Sequence, residues 1–242
     1  MRNVGVIFRR EMAAYFNSPI AYIFIIVFLV LNAGLYMTSF FLQGQADMRQ
    51  LFSSLPLFLI FFIPALTMRL WAEDRRSGTF ELLMTLPMRT GEVMAGKYLA
   101  ALAFYLIALA GTLPIPIILA VLGDPDGGAI FAGYLGGVLL GGLYLALGIF
   151  VSGLVRDQIT AFILGMIACL FLFFAGVDPV AAKLDGWVDG LGSFLQGSFG
   201  LFPHYEALQR GVIRLGDVVY FLSFSAALLM LNAAWLEGRK HA

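Results

Sequence analysis

Charge is what this sequence has least of. Asp, Glu, Lys and Arg make up 12% of its 242 residues and 61% are hydrophobic, whereas an ordinary soluble domain carries about 25% charge. That deficit excludes a conventional water-soluble domain. The 15 basic and 15 acidic residues cancel, which argues against a nucleic-acid partner. A single cysteine, Cys169, excludes an intramolecular disulfide, and within its apolar run it reads as a buried or lipid-facing small residue. Histidine is nearly absent too. His204 with Glu206 supplies too few ligands for a metal centre, and no nucleophile–base set or paired carboxylates suggest an enzyme.

Six apolar runs are present, at Ile20–Phe41, Leu51–Met68, Tyr98–Leu122, Ile130–Leu154, Ile159–Val177 and Val218–Leu236. A bilayer crossing needs about 20 helical residues, so the chain reads as an all-α integral membrane protein with six spans. The first run follows Arg9 and Arg10 but is too long for a signal peptide and lacks a small-residue cleavage site. None of the six contains Asp, Glu, Lys, Arg or His. Such residues cost about 3 kcal/mol each inside a span and usually mark ion pathways. Their absence counts against proton-coupled transport, although broken helices can hold sodium with backbone carbonyls. Energy for transport would then enter from outside the membrane.

Eleven of the 15 Lys and Arg residues fall on the side of the termini: Arg2, Arg9, Arg10, Arg69, Arg75, Arg76, Arg89, Lys97, Arg156, Arg239 and Lys240. Arg49, Lys183, Arg210 and Arg214 fall on the other. The bias predicts that both termini and the segment 69–97 are cytoplasmic. Gly133, Gly137 and Gly141 recur every four residues, with Gly148 and Ser152 on nearly the same face. This spacing permits close helix approach, either within the chain or at a dimer seam. Pro64, Pro114 and Pro116 should kink or end their spans. Asn32 and Asn232 are expected to hydrogen-bond across helices or to meet a substrate.

Residues 1–19 form an amphipathic interface helix, with Val4, Ile7, Phe8, Met12 and Tyr15 on one face and the turn "NSP" after it. Glu11 lies at the edge of that face. It is either a solvated rim charge or paired with Arg75 or Arg76. Segment 69–97, "RLWAEDRRSGTFELLMTLPMRTGEVMAGK", holds the densest pattern. Trp71 marks the interface, Ser77 or Thr79 can cap a short helix, and Pro87 closes it after about two turns. Two turns are unstable alone and need a partner surface. "GEVMAGK" mimics a phosphate-binding loop, but Tyr98 replaces its Ser or Thr and no strand precedes it. Gly96 then reads as a packing residue and Lys97 as a snorkelling one.

The pattern Glu73-x-x-Arg76-x-Gly78-Thr79-x-Glu81-Leu82-Leu83-x-x-x-Pro87, between spans two and three, resembles the ABC-2 type permeases, membrane subunits of bacterial ABC transporters. "FRREMAAYFNSPIAY" and "FIPALTMRLWAEDRRSGTFELLMTLP" are most similar to the gliding-motility-associated subgroup. The resemblance covers nearly the whole chain as one transmembrane domain: interface helix 1–19, spans 20–68, coupling segment 69–97, spans 98–177, outer hairpin 178–217, and span six with its tail, 218–242. It implies a coupling helix of Gly78, Thr79, Phe80, Glu81, Leu82 and Leu83, seated on a separate ATPase subunit. Glu11, Glu73, Arg75 and Arg76 would brace it, and "VRDQ" at 155–158 would be a lesser contact. It further implies no cofactor in this chain, ATP and Mg on the partner, two ATPase copies with a second permease (an identical copy or a related one), and a bacterial inner-membrane location.

Within the outer hairpin, Leu184, Trp187, Leu191 and Phe194 project onto one helical face with Asp185 and Asp189 opposite, which suits an interfacial or re-entrant helix. "FPHYEALQRGVIR" is expected to cap the outer mouth. Two outcomes fit the resemblance: export of an amphipathic substrate, or force passed to periplasmic or envelope partners. A self-contained channel or sodium-coupled carrier is the alternative.

Overall fold

The computed structural model describes residues 2–43, 47–80, 88–123, 125–187 and 190–238. Among these, every regular element is an α-helix. The chain runs α1 (Arg2–Phe16), α2 (Pro19–Gln43), α3 (Arg49–Arg76), α4 (Thr90–Ala110), α5 (Pro114–Leu122), α6 (Gly127–Leu154), α7 (Gln158–Ala175), α8 (Asp178–Asp185), α9 (Leu191–Phe199), α10 (Phe202–Gln209) and α11 (Leu215–Gly238). Six segments are long and apolar enough to cross a membrane: α2, α3, α4 with α5, α6, α7 and α11.

The glycine-rich α6 is the axis of the bundle, and α3, α7, α10 and α11 all pack on it. Its glycines fit named neighbours. A Cβ at Gly133 would strike the Phe52 ring, one at Gly137 would lie 2.9 Å from Leu55, and one at Gly141 would strike the Tyr105 ring. The stripe therefore faces α3 and α4 of the same chain. Ser152, further along, accepts from the Trp71 amide at 3.2 Å and donates to the Met68 carbonyl at 3.2 Å. Small residues here let polar groups reach the backbone of a neighbouring helix.

Proline acts differently in the two spans. Helix α3 continues through Pro56 and Pro64, so Pro64 does not end it. Pro56 has no N–H for the carbonyl four residues back, and the Tyr205 hydroxyl donates to that carbonyl, Phe52 O, at 2.7 Å. In the third span the helix does break: α4 stops at Ala110 and Pro114 opens α5 as its first residue. Asn32 and Asn232 are wholly buried, yet their amides have no hydrogen-bond partner among the described residues. The expected cross-helix bonds are thus not made. Asn232 lies instead against bare Gly153, where a Cβ would come within 2.9 Å of its Oδ1.

The single helical face expected from Leu184 to Phe194 is broken. Two short helices replace it, because Gly190 takes φ 80° and Asp185 turns to accept from the amides of Gly192 and Ser193 at the start of α9. Trp187 is left 89% exposed, and Asp189 lies outside the described residues. Next to this hairpin, His204 meets Asp217 at 2.7 Å and stacks on Tyr220.

Candidate functional site

The candidate site is built where α1 crosses the ends of α3 and α4. Gly96 permits the crossing, because a Cβ there would come within 2.7 Å of Ile7. Asn3 donates to Glu92 at 3.0 Å nearby, which joins the first turns of α1 and α4. One turn further along, Lys97 projects into the crossing and is 1% exposed. The reading of Lys97 as a snorkelling side chain is therefore corrected: its ammonium turns inward because carboxylates and a carbonyl meet it there.

Lys97 Nζ donates to Glu11 Oε1 at 2.8 Å, to Asp74 Oδ2 at 2.6 Å and to the Leu70 carbonyl at 2.6 Å. All three ammonium protons are thereby used. The Trp71 ring lies 4.9 Å from the same nitrogen. Arg10 closes the set, with Nη2 at 2.6 Å from Glu11 and 3.2 Å from Asp74. Two cations and two anions make the cluster neutral, the condition under which buried charge is tolerated. Glu11 thus pairs with Arg10 and Lys97, not with Arg75 or Arg76. A polar recess of about 460 Å³ opens beside it, with Glu11, Asp74, Thr79 and Lys97 in its wall.

Helix α3 ends on this cluster. Gly78 takes φ 71°, the left-handed conformation that glycine adopts without a Cβ clash and that commonly ends helices. Thr79 Oγ1 donates to Asp74 Oδ1 at 3.0 Å and pairs with Ser77 Oγ at 2.9 Å. Phe80 packs edge-on against Trp71, ring centroids 6.0 Å apart, beneath the Arg75 guanidinium at 4.9 Å. Of the six residues expected to form the coupling helix, Gly78, Thr79 and Phe80 thus lie at or beside the cluster. Glu81, Leu82 and Leu83 lie outside the described residues.

The four bracing residues separate. Glu11 is in the cluster. Arg75 reaches the other way and donates to the carbonyls of Gly153 and Val155, acceptors left free at the C-terminus of α6. It thereby ties the end of α3 to the "VRDQ" loop. In that loop Asp157 caps α7 by accepting from the Thr160 amide at 3.0 Å. That backbone hydrogen bond is the main cause holding the Asp157 carboxyl below its ordinary pKa. Glu73 and Arg76 are exposed, and no ion pair joins either to another described residue. The glycines of α6 stand apart from this site, in the bundle interior.

Arg10, Asp74 and Lys97 were not singled out as a group by sequence reasoning. Arg10 and Glu11 are neighbours, but the contacts between helices span 23 to 86 residues, so no local spacing reports them. The available signal was Lys97 itself, a cation at the mouth of an apolar run directly after a packing glycine. The same burial answers the phosphate-loop mimicry, since an ammonium held by two carboxylates has no donor left for a nucleotide.

No curated protein matches this chain. Residues 13–231 match the family model described as ABC-2 family transporter protein. That match runs from the end of α1 into α11, and takes in five spans, the greater part of the sixth, and the charge cluster's Asp74 and Lys97. The chain belongs to the ABC-2 family of transporter proteins.

Proposed function

We propose that this chain works as the membrane-spanning half of an ATP-driven complex in a bacterial inner membrane, its termini cytoplasmic. Two copies would join two copies of a separate ATPase subunit that binds ATP and Mg. The family is one of membrane subunits rather than catalysts, and it implies an ABC ATPase as partner. The coupling contact is assigned to Gly78–Leu83. One observation carries this reading: the start of that segment is fastened to a buried, neutral charge cluster joining α1, α3 and α4. A push delivered there enters two spans at once, and through Arg75 it also reaches the loop between α6 and α7.

The cargo is either an amphipathic molecule, as suits spans free of charge, or mechanical work passed to envelope partners. Substrate-stimulated ATPase activity with uptake into vesicles favours export. ATPase activity that depends on an envelope protein favours force transmission. The coupling assignment is tested by Glu81→Arg, read by co-purification with the ATPase and by its hydrolysis rate. The expected outcome is loss of both, and unchanged association with unchanged rate would remove the assignment. Transport by the purified chain alone would instead establish a self-contained channel or carrier.

A further inference from the structure

Two cavities with a shared wall run along one face of α3. One is a pocket of about 180 Å³ between α1, α2, α3 and α7, with Ser18, Arg69, Glu73 and Gln158 as its polar lining. The other is a groove of about 460 Å³ walled only by apolar side chains, among them Phe28, Phe58, Phe62 and Phe162. Phe24 and Ala65 line both. Along α3 the order is Phe58, Phe62, Ala65, Arg69, Glu73, each three or four residues from the last, so all five share a face.

Charge enters this cleft in a fixed sequence. Arg69 lies over the Tyr15 ring at 4.3 Å, and its Nη2 is buried with no hydrogen-bond partner among the described residues. A buried guanidinium nitrogen without an acceptor is costly. Glu73 follows one turn later, about 6 Å along the axis, exposed at the pocket rim. Apolar groove, cation, then anion is the complement of acyl chain, phosphate, then ammonium.

We propose that the cleft binds one phospholipid with a phosphoethanolamine headgroup. Its phosphate would sit on Arg69, its ammonium on Glu73, and one acyl chain in the phenylalanine groove. Guanidinium suits phosphate because its planar fork can donate two parallel bonds. The assignment to the cytoplasmic leaflet rests on the orientation proposed above, whereas the site itself does not depend on the ATPase. A second copy of this chain could cover the groove with an apolar helix, but it would leave Arg69 Nη2 unpaired. Free phosphate would satisfy Arg69 and leave the groove empty. An anionic glycerol headgroup would satisfy Arg69 but bring no cation to Glu73.

The test uses the full chain, purified and delipidated in detergent, titrated in native mass spectrometry. Three probes are compared: dioleoyl-phosphatidylethanolamine, dioleoyl-phosphatidylglycerol and water-soluble glycerophosphoethanolamine. The ethanolamine lipid should bind at one copy per chain and several-fold more tightly than the glycerol lipid, and the water-soluble headgroup should not compete. Arg69→Gln should weaken lipid binding about tenfold or more, as expected from losing one charge-assisted hydrogen bond, and Arg69→Lys should restore most of it. Glu73→Gln should narrow the preference between the two lipids without lowering affinity for the glycerol lipid. Should Arg69→Gln fail to fold, exposed Glu73 decides the matter through that preference. Equal binding of both lipids by the wild type, tight binding of the water-soluble headgroup, or Arg69→Gln binding like wild type would each overturn the site. None of these outcomes bears on ATPase association, so the two readings fail separately.

Discussion

Lys97 concentrates the energetics of the cytoplasmic cluster. A buried ion pair is a weak source of net stability, but removing one partner is costly, because the other charges stay buried without compensation. Lys97→Met should therefore lower stability by about 3–5 kcal/mol, read as a loss of melting temperature in detergent. The triple variant Glu11→Gln, Asp74→Asn, Lys97→Met should recover much of that loss, since Arg10, the one charge left, has the most access to water of the four, with 42% of its side chain exposed. A triple variant as unstable as Lys97→Met would mean that the cluster contributes through its hydrogen bonds rather than its charge balance. Asp157 presents a simpler, exposed case. Its carboxyl titrates below its ordinary value because the Thr160 amide bonds the charged form, so the folded state favours ionised Asp157 more than the unfolded chain does. The cap's contribution is complete above the ordinary aspartate pKa and fades as pH falls through the lowered one. Asp157→Asn keeps an acceptor without the charge, and its melting temperature should fall less than the wild type's across that acid window.

At the scale of elements, close helix approach dominates. Tyr105 fills the space left by Gly141 and donates to the Gly137 carbonyl at 2.8 Å, so a methyl at 141 displaces a ring that is also hydrogen-bonded. Gly141→Ala should cost about 1–3 kcal/mol through overpacking. Gly34→Ala, with nothing within 4 Å, should be neutral or slightly stabilising, because alanine is the better helix former. Equal effects in thermal unfolding would show that the glycines act through helix propensity alone. These elements were largely legible in the sequence, since unbroken apolar runs of span length have few other solutions in lipid. The break at Pro114 was legible as well. Whether α3 would be kinked or ended at Pro64 was left open in the sequence, because the outcome depends on how freed carbonyls are satisfied, as at Pro56, where a tyrosine 153 residues away in sequence does so. The outer hairpin misled the helical projection for a related reason: a left-handed glycine interrupts a face that the side-chain pattern alone would continue. The charge cluster was illegible because its members come from three different helices, α1, α3 and α4, while Thr79 was visible through local capping chemistry and Gly78 through the family resemblance.

For the whole molecule, the distribution of ties predicts which parts move together. Helices α1, α3 and α4 share the buried cluster, and α3 reaches the end of α6 through Arg75 and Ser152. Against this, α2 and α7 meet α3 along the lipid-accessible groove, and α8 with α9 forms a separate hairpin at the opposite end. A conformational change should leave the first set internally fixed and fall on its boundaries, since packed interfaces shift as units rather than deform continuously. This can be tested at Asn3 and Glu92, whose side chains meet between α1 and α4. Cysteines at 3 and 92 joined by a short cross-linker should leave nucleotide-driven turnover of the assembled complex unchanged. Native Cys169 is wholly buried and does not compete for the reagent. A cross-link between α2 and α3 across the groove, at Val27 and Phe61, should instead suppress turnover. If the first cross-link stops turnover, α1 swings against α4 during the cycle, and the cluster is then a contact broken in each round rather than a permanent brace. Reduction of a cleavable linker distinguishes that case from damage to the fold, because activity lost to restraint returns and activity lost to misfolding does not.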